Sequence, residues 1–157
     1  MPTWRVQRLV AAGLSLLLAI AVALPALAAE RGGLQSLTGE SIGAAELARG
    51  KVILVVWASW SPRCRDIVPR INAIARRWSG QAAVMAVNFQ EEPAEVSRFL
   101  TGQGLSARVA IDRDSSFAKK HGITWLPGLV VLDEGRSLYG GKLPDDPDSL
   151  LASLLSR

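Results

Sequence analysis

The chain has 157 residues, enough for one domain and not comfortably for two. Its formal net charge is +4, but no run of basic residues is interleaved with aromatic ones, so the sequence argues against binding to nucleic acid. It contains one cysteine, Cys64, and a domain of this size can bury a core without disulfides.

The first 28 residues have the pattern of a secretory signal peptide. Arg5 and Arg8 form a basic head, residues 9–24 are apolar apart from one glycine and one serine, and residues 26–28 form a small-x-small exit. The pattern predicts cleavage near Ala28 and a periplasmic or otherwise extracytoplasmic protein. An uncleaved membrane anchor is the alternative, although the apolar run is short for a full span. Cleavage removes two basic residues and no acidic one, which lowers the net charge to +2.

After a short linker at residues 31–33, the apolar pattern alternates between strand and helix. Lys51 to Trp57 is a continuous, β-branched apolar run that favours a strand covered on both faces. Ser61 to Trp78 carries apolar residues at helical spacing and predicts one continuous helix that Gly80 ends. Further strands are predicted at 83–88, 108–111, 129–132 and 137–139, and further helices at 93–101, 115–121 and 147–155.

A weak strand and a short helix precede these elements. The alternating order predicts an α/β fold, a three-layer α/β/α sandwich, whose crossovers give a parallel core sheet. The last two strands form a hairpin and add antiparallel pairing, so the central sheet should be mixed. We expect this domain to span residues 34–157.

The informative segment joins the long apolar strand to the long helix and reads Trp57-Ala58-Ser59-Trp60-Ser61-Pro62-Arg63-Cys64. It resembles the thioredoxin superfamily, whose pattern here is W-A-x-W-C-x-x-C. The exported TlpA/ResA-like group is similar over the whole of the chain after the signal peptide. Four further matches carry this resemblance: Gly50-Lys51-Val52 at the strand entry, Pro69, Val87-Asn88 with Glu91, and the segment from Gly122 to Pro127.

The resemblance implies a thioredoxin-like fold and, in the family, thiol–disulfide exchange. The family's first cysteine attacks a disulfide as a thiolate, and the second resolves the mixed disulfide. Here Ser61 takes the first position, and its hydroxyl is too weakly acidic to ionise at a helix terminus. No neighbouring histidine or lysine in the sequence supplies a base. We therefore do not expect ordinary dithiol–disulfide turnover, and whether the protein is an enzyme stays open.

Ser61 and Cys64 each have a structural and a chemical interpretation. Ser61 followed by Pro62 is a good helix start, and we expect the serine to be the N-cap. Cys64 should be partly shielded. It is either inert, or the site of a mixed disulfide or of sulfenic acid chemistry, or a metal ligand. No ligand spacing links it to His121 or Met85, so we expect no metal and no cofactor.

The late proline defines a second candidate region. In the family the proline that matches Pro127 is cis and faces the cysteine motif, and the backbone of the preceding residue, Leu126, pairs with an extended partner segment. We expect one apolar patch for partner binding, formed by Trp60, Pro62, Trp125, Leu126 and Pro127. Two other tryptophans, Trp57 and Trp78, are expected in the core.

Charged residues near the motif have open interpretations. Glu91 matches a glutamate that tunes the thiols in ResA-like proteins, but without a redox pair we favour a surface or helix-start carboxylate. Arg63 stands where TlpA-like relatives usually place proline, which favours a natural degenerate site. It belongs to a group of arginines along the predicted helix, Arg63, Arg65, Arg70, Arg76 and Arg77, which form either a solvated face or a site for an acidic partner.

Three functions fit these observations. The first is a binding module that holds exported or thiol-bearing polypeptides as a chaperone or assembly factor, and we favour it. The second is a single-cysteine redox protein that acts through Cys64. The third is a variant of an active oxidoreductase. A membrane partner is expected only if the N-terminal segment stays uncleaved.

Overall fold

The computed structural model describes residues 33–156, so the predicted signal peptide lies outside the described residues. Within that range the strands are β1 Leu34–Ser36, β2 Ser41–Ile42, β3 Lys51–Trp57, β4 Ala83–Phe89, β5 Arg108–Asp112, β6 Gly128–Asp133 and β7 Arg136–Lys142. The α-helices are α1 Ala44–Leu47, α2 Ile67–Trp78, α3 Pro93–Leu100, α4 Ser116–Lys120 and α5 Asp148–Leu155. None of these helices is long and apolar enough to cross a membrane.

All seven strands form one mixed sheet in the order β2-β1-β5-β4-β3-β6-β7. The inner strands β3, β4 and β5 are parallel, as expected for strands joined by helical crossovers. β6 runs antiparallel to β3 and forms a hairpin with β7, while β1 runs antiparallel to β5. The predicted mixed sheet is confirmed.

Helices cover both faces of this sheet, which confirms the three-layer α/β/α architecture. Alternate residues of β3 enter opposite cores, with Ile53, Val55 and Trp57 on one face and Val52, Leu54 and Val56 on the other. The first core is covered by α2, α3 and α5, and the second by α4 and α1. Trp57 and Trp78 are both buried in the first core, as predicted.

The prediction of one helix from Ser61 to Trp78 is wrong. Residues Pro62–Cys64 form a 3₁₀ turn, and α2 begins only at Ile67. Pro69 accounts for the interruption, because in a continuous helix its ring would clash with the carbonyl of Arg65 and its missing N–H would leave that carbonyl unpaired. The chain therefore changes direction at residues 65–66, before α2 begins. At the N-terminus, two short paired strands precede α1 where one weak strand was predicted.

One close backbone contact fixes the segment that leads from α4 to β6. Gly140 in β7 lies so close to the carbonyl oxygen of His121 that a Cβ atom at this glycine would be 2.1 Å from that oxygen. Because the oxygen belongs to the backbone, neither a rotamer change nor a small side-chain shift relieves the clash. The backbone of His121 thus packs against β7 only while position 140 carries no side chain.

We expect Gly140→Ala to lower the free energy of unfolding by about 1–3 kcal/mol, because the clash forces the backbone apart. Urea denaturation measures the change. The matched control is Gly80→Ala, since a Cβ at Gly80 meets no atom within 4 Å. The control should stay within about 0.5 kcal/mol of the wild type. Equal stability of the two variants would contradict the close packing of His121 against β7.

Candidate functional site

A groove lies where the carboxyl end of β3 faces the loop before β6. Its volume is about 350 Å³, and it is lined by Trp60, Ser61, Arg63, Phe89, Ile123, Thr124, Trp125 and Leu126. Residues 60–63 follow β3, while residues 123–126 precede β6, which is the antiparallel neighbour of β3. Strand pairing therefore brings together two segments that lie some sixty residues apart in the sequence.

Two tryptophans stay exposed in this groove. Trp60 is 61% exposed and Trp125 is 51% exposed, and they are the exposed large hydrophobic side chains of the described residues. The guanidinium of Arg63 lies over the Trp125 ring, 4.7 Å from the ring centroid. Exposed aromatic surface of this kind is typical of interaction sites.

Only part of the predicted apolar patch lies in this groove. Trp60, Trp125 and Leu126 line the groove, but Pro62 is exposed outside the lining and Pro127 is buried behind it. The charge of Arg63 was not expected in the patch. The Leu126–Pro127 peptide bond is cis.

The backbone of Leu126 is available to a partner. Leu126 precedes β6 by two positions, and its N–H and C=O form no hydrogen bond with any residue in the described range. The next carbonyl, that of Pro127, accepts a hydrogen bond from the N–H of Leu143 at 3.0 Å. The chain therefore pairs with itself from Pro127 onward and leaves the preceding residue open at the groove.

Ser61 has the position of a cap but not its hydrogen bond. It precedes the 3₁₀ turn in an extended conformation, with φ −80° and ψ 119°, and its carbonyl accepts the N–H of Cys64 at 2.9 Å. The prediction that Ser61 is the N-cap is confirmed, although its side chain makes no capping hydrogen bond. The short 3₁₀ turn ends at Cys64, which leaves no first α-helical turn for the hydroxyl to cap.

Cys64 is more deeply buried than the sequence suggests. It is 1% exposed and belongs to the core cluster under the sheet, together with Ile67, Val68 and Ile71. It is a free cysteine that packs like a small apolar side chain. A thiol in this position meets a soluble reagent only when the surrounding helix opens.

Glu91 is buried, so the expectation of a surface or helix-start carboxylate is wrong. It is 6% exposed and accepts hydrogen bonds from the N–H of Ser59 at 2.7 Å, from the Ser59 hydroxyl, and from Nδ2 of Asn88 at 2.6 Å. Gln90 adopts a left-handed φ of 61°, which turns the chain after β4 and directs the carboxylate inward. The residue at the start of α3 is instead Glu92, whose side chain completes a capping box with Glu95.

Two other ionisable groups near the sheet have shifted pKa values. Burial, and then the charge of Lys120, lowers the pKa of His121, whose ring lies 4.5 Å from that of Phe117. Burial raises the pKa of Asp112 despite the hydrogen bonds that it accepts from the N–H groups of Phe117 and Ala118. Neither side chain lines the groove, so the histidine is not placed as a base for Ser61.

The groove also contains residues that the sequence did not single out for it. Phe89 follows the matched Val87-Asn88 pair, Ile123 and Thr124 lie within the matched segment from Gly122 to Pro127, and Arg63 lies within the serine–cysteine motif. Two of the predicted group of arginines contact other parts of the chain, since Arg70 donates to the carbonyl of Pro144 at 2.8 Å and Arg77 lies over the ring of Trp78. Within residues 33–156 no cluster of three His, Cys, Asp or Glu side chains is placed to hold a metal ion.

This topology, with the Trp57-Ala58-Ser59-Trp60 motif at the end of β3 and a cis-proline segment opposite it, defines a thioredoxin-like protein. The exposed lipoprotein thioredoxin Etrx1 from Streptococcus pneumoniae has the same fold, with a TM-score of 0.67 at 21% identity over 79% of this chain and 97% of that one. A family profile described as Redoxin matches residues 22–154. The chain belongs to this family.

Curated relatives agree with this assignment. The chain is 31% identical over 102 residues to the thiol-disulfide oxidoreductase ResA from Halalkalibacterium halodurans, which covers 64% of this chain and 58% of that protein. It is 28% identical over 104 residues to the thioredoxin-like protein YneN from Bacillus subtilis. The aligned part covers 64% of this chain and 61% of that protein. The chain thus spans about three fifths of the length of these relatives.

We expect Glu91→Ala to lower the free energy of unfolding by about 2–4 kcal/mol, because three donors from Ser59 and Asn88 lose their acceptor. Chemical denaturation followed by circular dichroism measures the change. Glu40→Ala is the control, since the Glu40 side chain is exposed and forms no hydrogen bond within the described range. A Glu91→Ala protein as stable as the control would mean that the carboxylate does not stabilise the contact between Ser59 and Asn88.

We expect Cys64 in the folded protein to react with iodoacetamide at least about a hundredfold more slowly than in urea, since its thiol is buried. Mass spectrometry over time measures the rate. A Thr124→Cys, Cys64→Ala double variant supplies an exposed thiol in the groove for comparison and should react at close to the rate in urea. Equal native rates for the two proteins would contradict the burial of Cys64 and favour the single-cysteine function.

Proposed function

We propose that this protein is an exported, thioredoxin-fold polypeptide-binding protein that acts as a chaperone or assembly factor without ordinary dithiol–disulfide turnover. The observation that carries the proposal is the groove itself. It keeps two exposed tryptophans and an unpaired stretch of backbone, beside a serine at the position where the family has its nucleophilic cysteine.

The shape and chemistry of the groove support binding of an extended segment. The unpaired N–H and C=O of Leu126 lie at the rim, where a strand from a partner would find one donor and one acceptor. Trp60 and Trp125 flank this backbone and provide large apolar anchors of the type that dominates binding energy at interfaces. Backbone pairing gives affinity for many sequences, and the tryptophans add apolar contact.

The same residues argue against a redox cycle. The one ionisable side chain that lines the groove is that of Arg63, a cation, so Ser61 has no base beside it. Cys64 lies in the core and not on the groove surface. A single-cysteine mechanism requires the thiol to reach a partner's sulfur, and the burial of Cys64 disfavours it.

Export is part of the proposal and rests on residues 1–28. Their basic head, apolar run and small-x-small exit are typical of a cleaved signal peptide. The structural neighbour from Streptococcus pneumoniae is described as an exposed lipoprotein. On this basis the proposed partners are exported polypeptides, including thiol-bearing ones.

We expect Trp125→Ala to weaken the binding of an unfolded, carboxymethylated polypeptide by about tenfold or more, because the variant loses an anchor of the groove. Fluorescence anisotropy of the labelled polypeptide measures the dissociation constant. Trp125→Phe is the conservative control and should retain most of the affinity.

Insulin reduction by dithiothreitol tests the redox part of the proposal separately. The wild-type protein should leave the rate unchanged, and acceleration would contradict the loss of turnover. Absence of any binding to the carboxymethylated polypeptide, or equal binding by wild type and Trp125→Ala, would overturn the binding function.

A further inference from the structure

The groove carries one cation without a carboxylate partner. Arg63 is exposed and follows Pro62 in the 3₁₀ turn, and its guanidinium carbon lies 4.7 Å from the centroid of the Trp125 ring. No carboxylate of the described residues forms an ion pair with it, and its guanidinium donates no hydrogen bond within that range. A guanidinium above a ring face keeps its N–H donors available for a further acceptor.

The charge of Arg63 is not balanced inside the groove. The other lining residues are neutral, namely Trp60, Ser61, Phe89, Ile123, Thr124, Trp125 and Leu126. Asp66, three residues along the chain, forms no ion pair with Arg63, and Glu91 lines the neighbouring depression beside Trp60, where Ser59 and Asn88 already hold it. A ligand in the groove therefore meets a net positive charge beside apolar surface.

An extended polypeptide can satisfy both features at once. Its side chains alternate between two faces, so residues two apart point the same way at a separation of about 6.6 Å. One such residue can pack between the tryptophans while the other reaches the guanidinium. A carboxylate suits this position best, because it accepts two parallel hydrogen bonds from a guanidinium.

We propose that the groove selects polypeptide segments in which an Asp or Glu lies two residues from a large apolar side chain, and that Arg63 binds the carboxylate. The inference rests on the proposed polypeptide-binding function and adds the chemistry of the preferred partner. The ring of Trp125 holds the guanidinium in place before the ligand arrives, so less side-chain entropy is lost on binding.

The test uses the full chain and three labelled peptides of about ten residues, an extended length of about 33 Å. They share a central leucine and differ two positions away, where they carry Glu, Gln or Lys. We expect the Glu peptide to bind about fivefold more tightly than the Gln peptide and the Lys peptide to bind most weakly, as for a charge pair at a partly exposed interface. The preference should shrink as salt is added.

Substitutions at Arg63 and at Arg77 separate the effect of the charge in the groove from the effect of charge elsewhere. Arg63→Ala should bind the Glu and Gln peptides equally, and Arg63→Glu should reverse the order and favour the Lys peptide. Arg77→Ala is the matched control, because Arg77 also lies over a tryptophan ring, that of Trp78, at 5.1 Å and outside the groove. It should keep the full preference for the Glu peptide.

The outcomes distinguish this inference from the function on which it rests. Equal binding of the three peptides by the wild type, with loss of all binding in Trp125→Ala, would overturn the acidic selectivity and leave the groove function intact. A preference that persists in Arg63→Ala would also overturn it. If no peptide binds and the carboxymethylated polypeptide does not bind either, both proposals fail.

Discussion

The site depends on one buried carboxylate. Glu91 links two strand ends, since it accepts hydrogen bonds from Ser59 after β3 and from Asn88 in β4. These strands are parallel neighbours, and Trp57 pairs in register with Asn88, so both strand ends meet at one edge of the sheet. A buried carboxylate is tolerated only when donors replace the lost water, and three donors do so here. The turn that presents Trp60 is thereby tied to the sheet.

The fold does not depend on the residue that the redox chemistry needs. Ser61 contributes its backbone to the 3₁₀ turn, while its side chain makes no capping hydrogen bond. Cys64, by contrast, fills a place in the core beside Ile67 and Val68. A serine at the first position leaves that packing unchanged, and the second cysteine keeps a structural value as a small apolar residue. The packing of the core therefore does not require a thiol at position 61.

Elements defined by burial on both faces could be predicted from the sequence. The strand Lys51–Trp57 was predicted with the bounds that the structure gives, because a continuous β-branched run that is buried on both faces contains no polar positions that would obscure its ends. The helix from Ser61 failed because apolar spacing continues through the interruption, although Pro69 carried the signal in its clash with the carbonyl of Arg65.

The placement of charged side chains was harder to predict, because it depends on segments distant in sequence. The burial of Glu91 requires the left-handed turn at Gln90 and donors from two strands, and none of these follows from the pattern around one residue. The contact of Arg63 with Trp125 joins two segments that only the pairing of β3 with β6 brings together. The family resemblance located both segments, but the predicted patch contained only apolar residues and left Arg63 out.

The two departures from the family pattern act on the same groove and are physically related. In a dithiol protein a covalent mixed disulfide holds the partner, so weak noncovalent contacts suffice during turnover. With Ser61 in place of the nucleophile, the lifetime of a complex depends on the dissociation rate that noncovalent contacts set. The guanidinium of Arg63, held over Trp125, adds a directional contact where proline would add none. Under the proposed function, the absence of the covalent step and the presence of a charged contact are therefore complementary. The first ends redox turnover, and the second favours retention of an acidic segment.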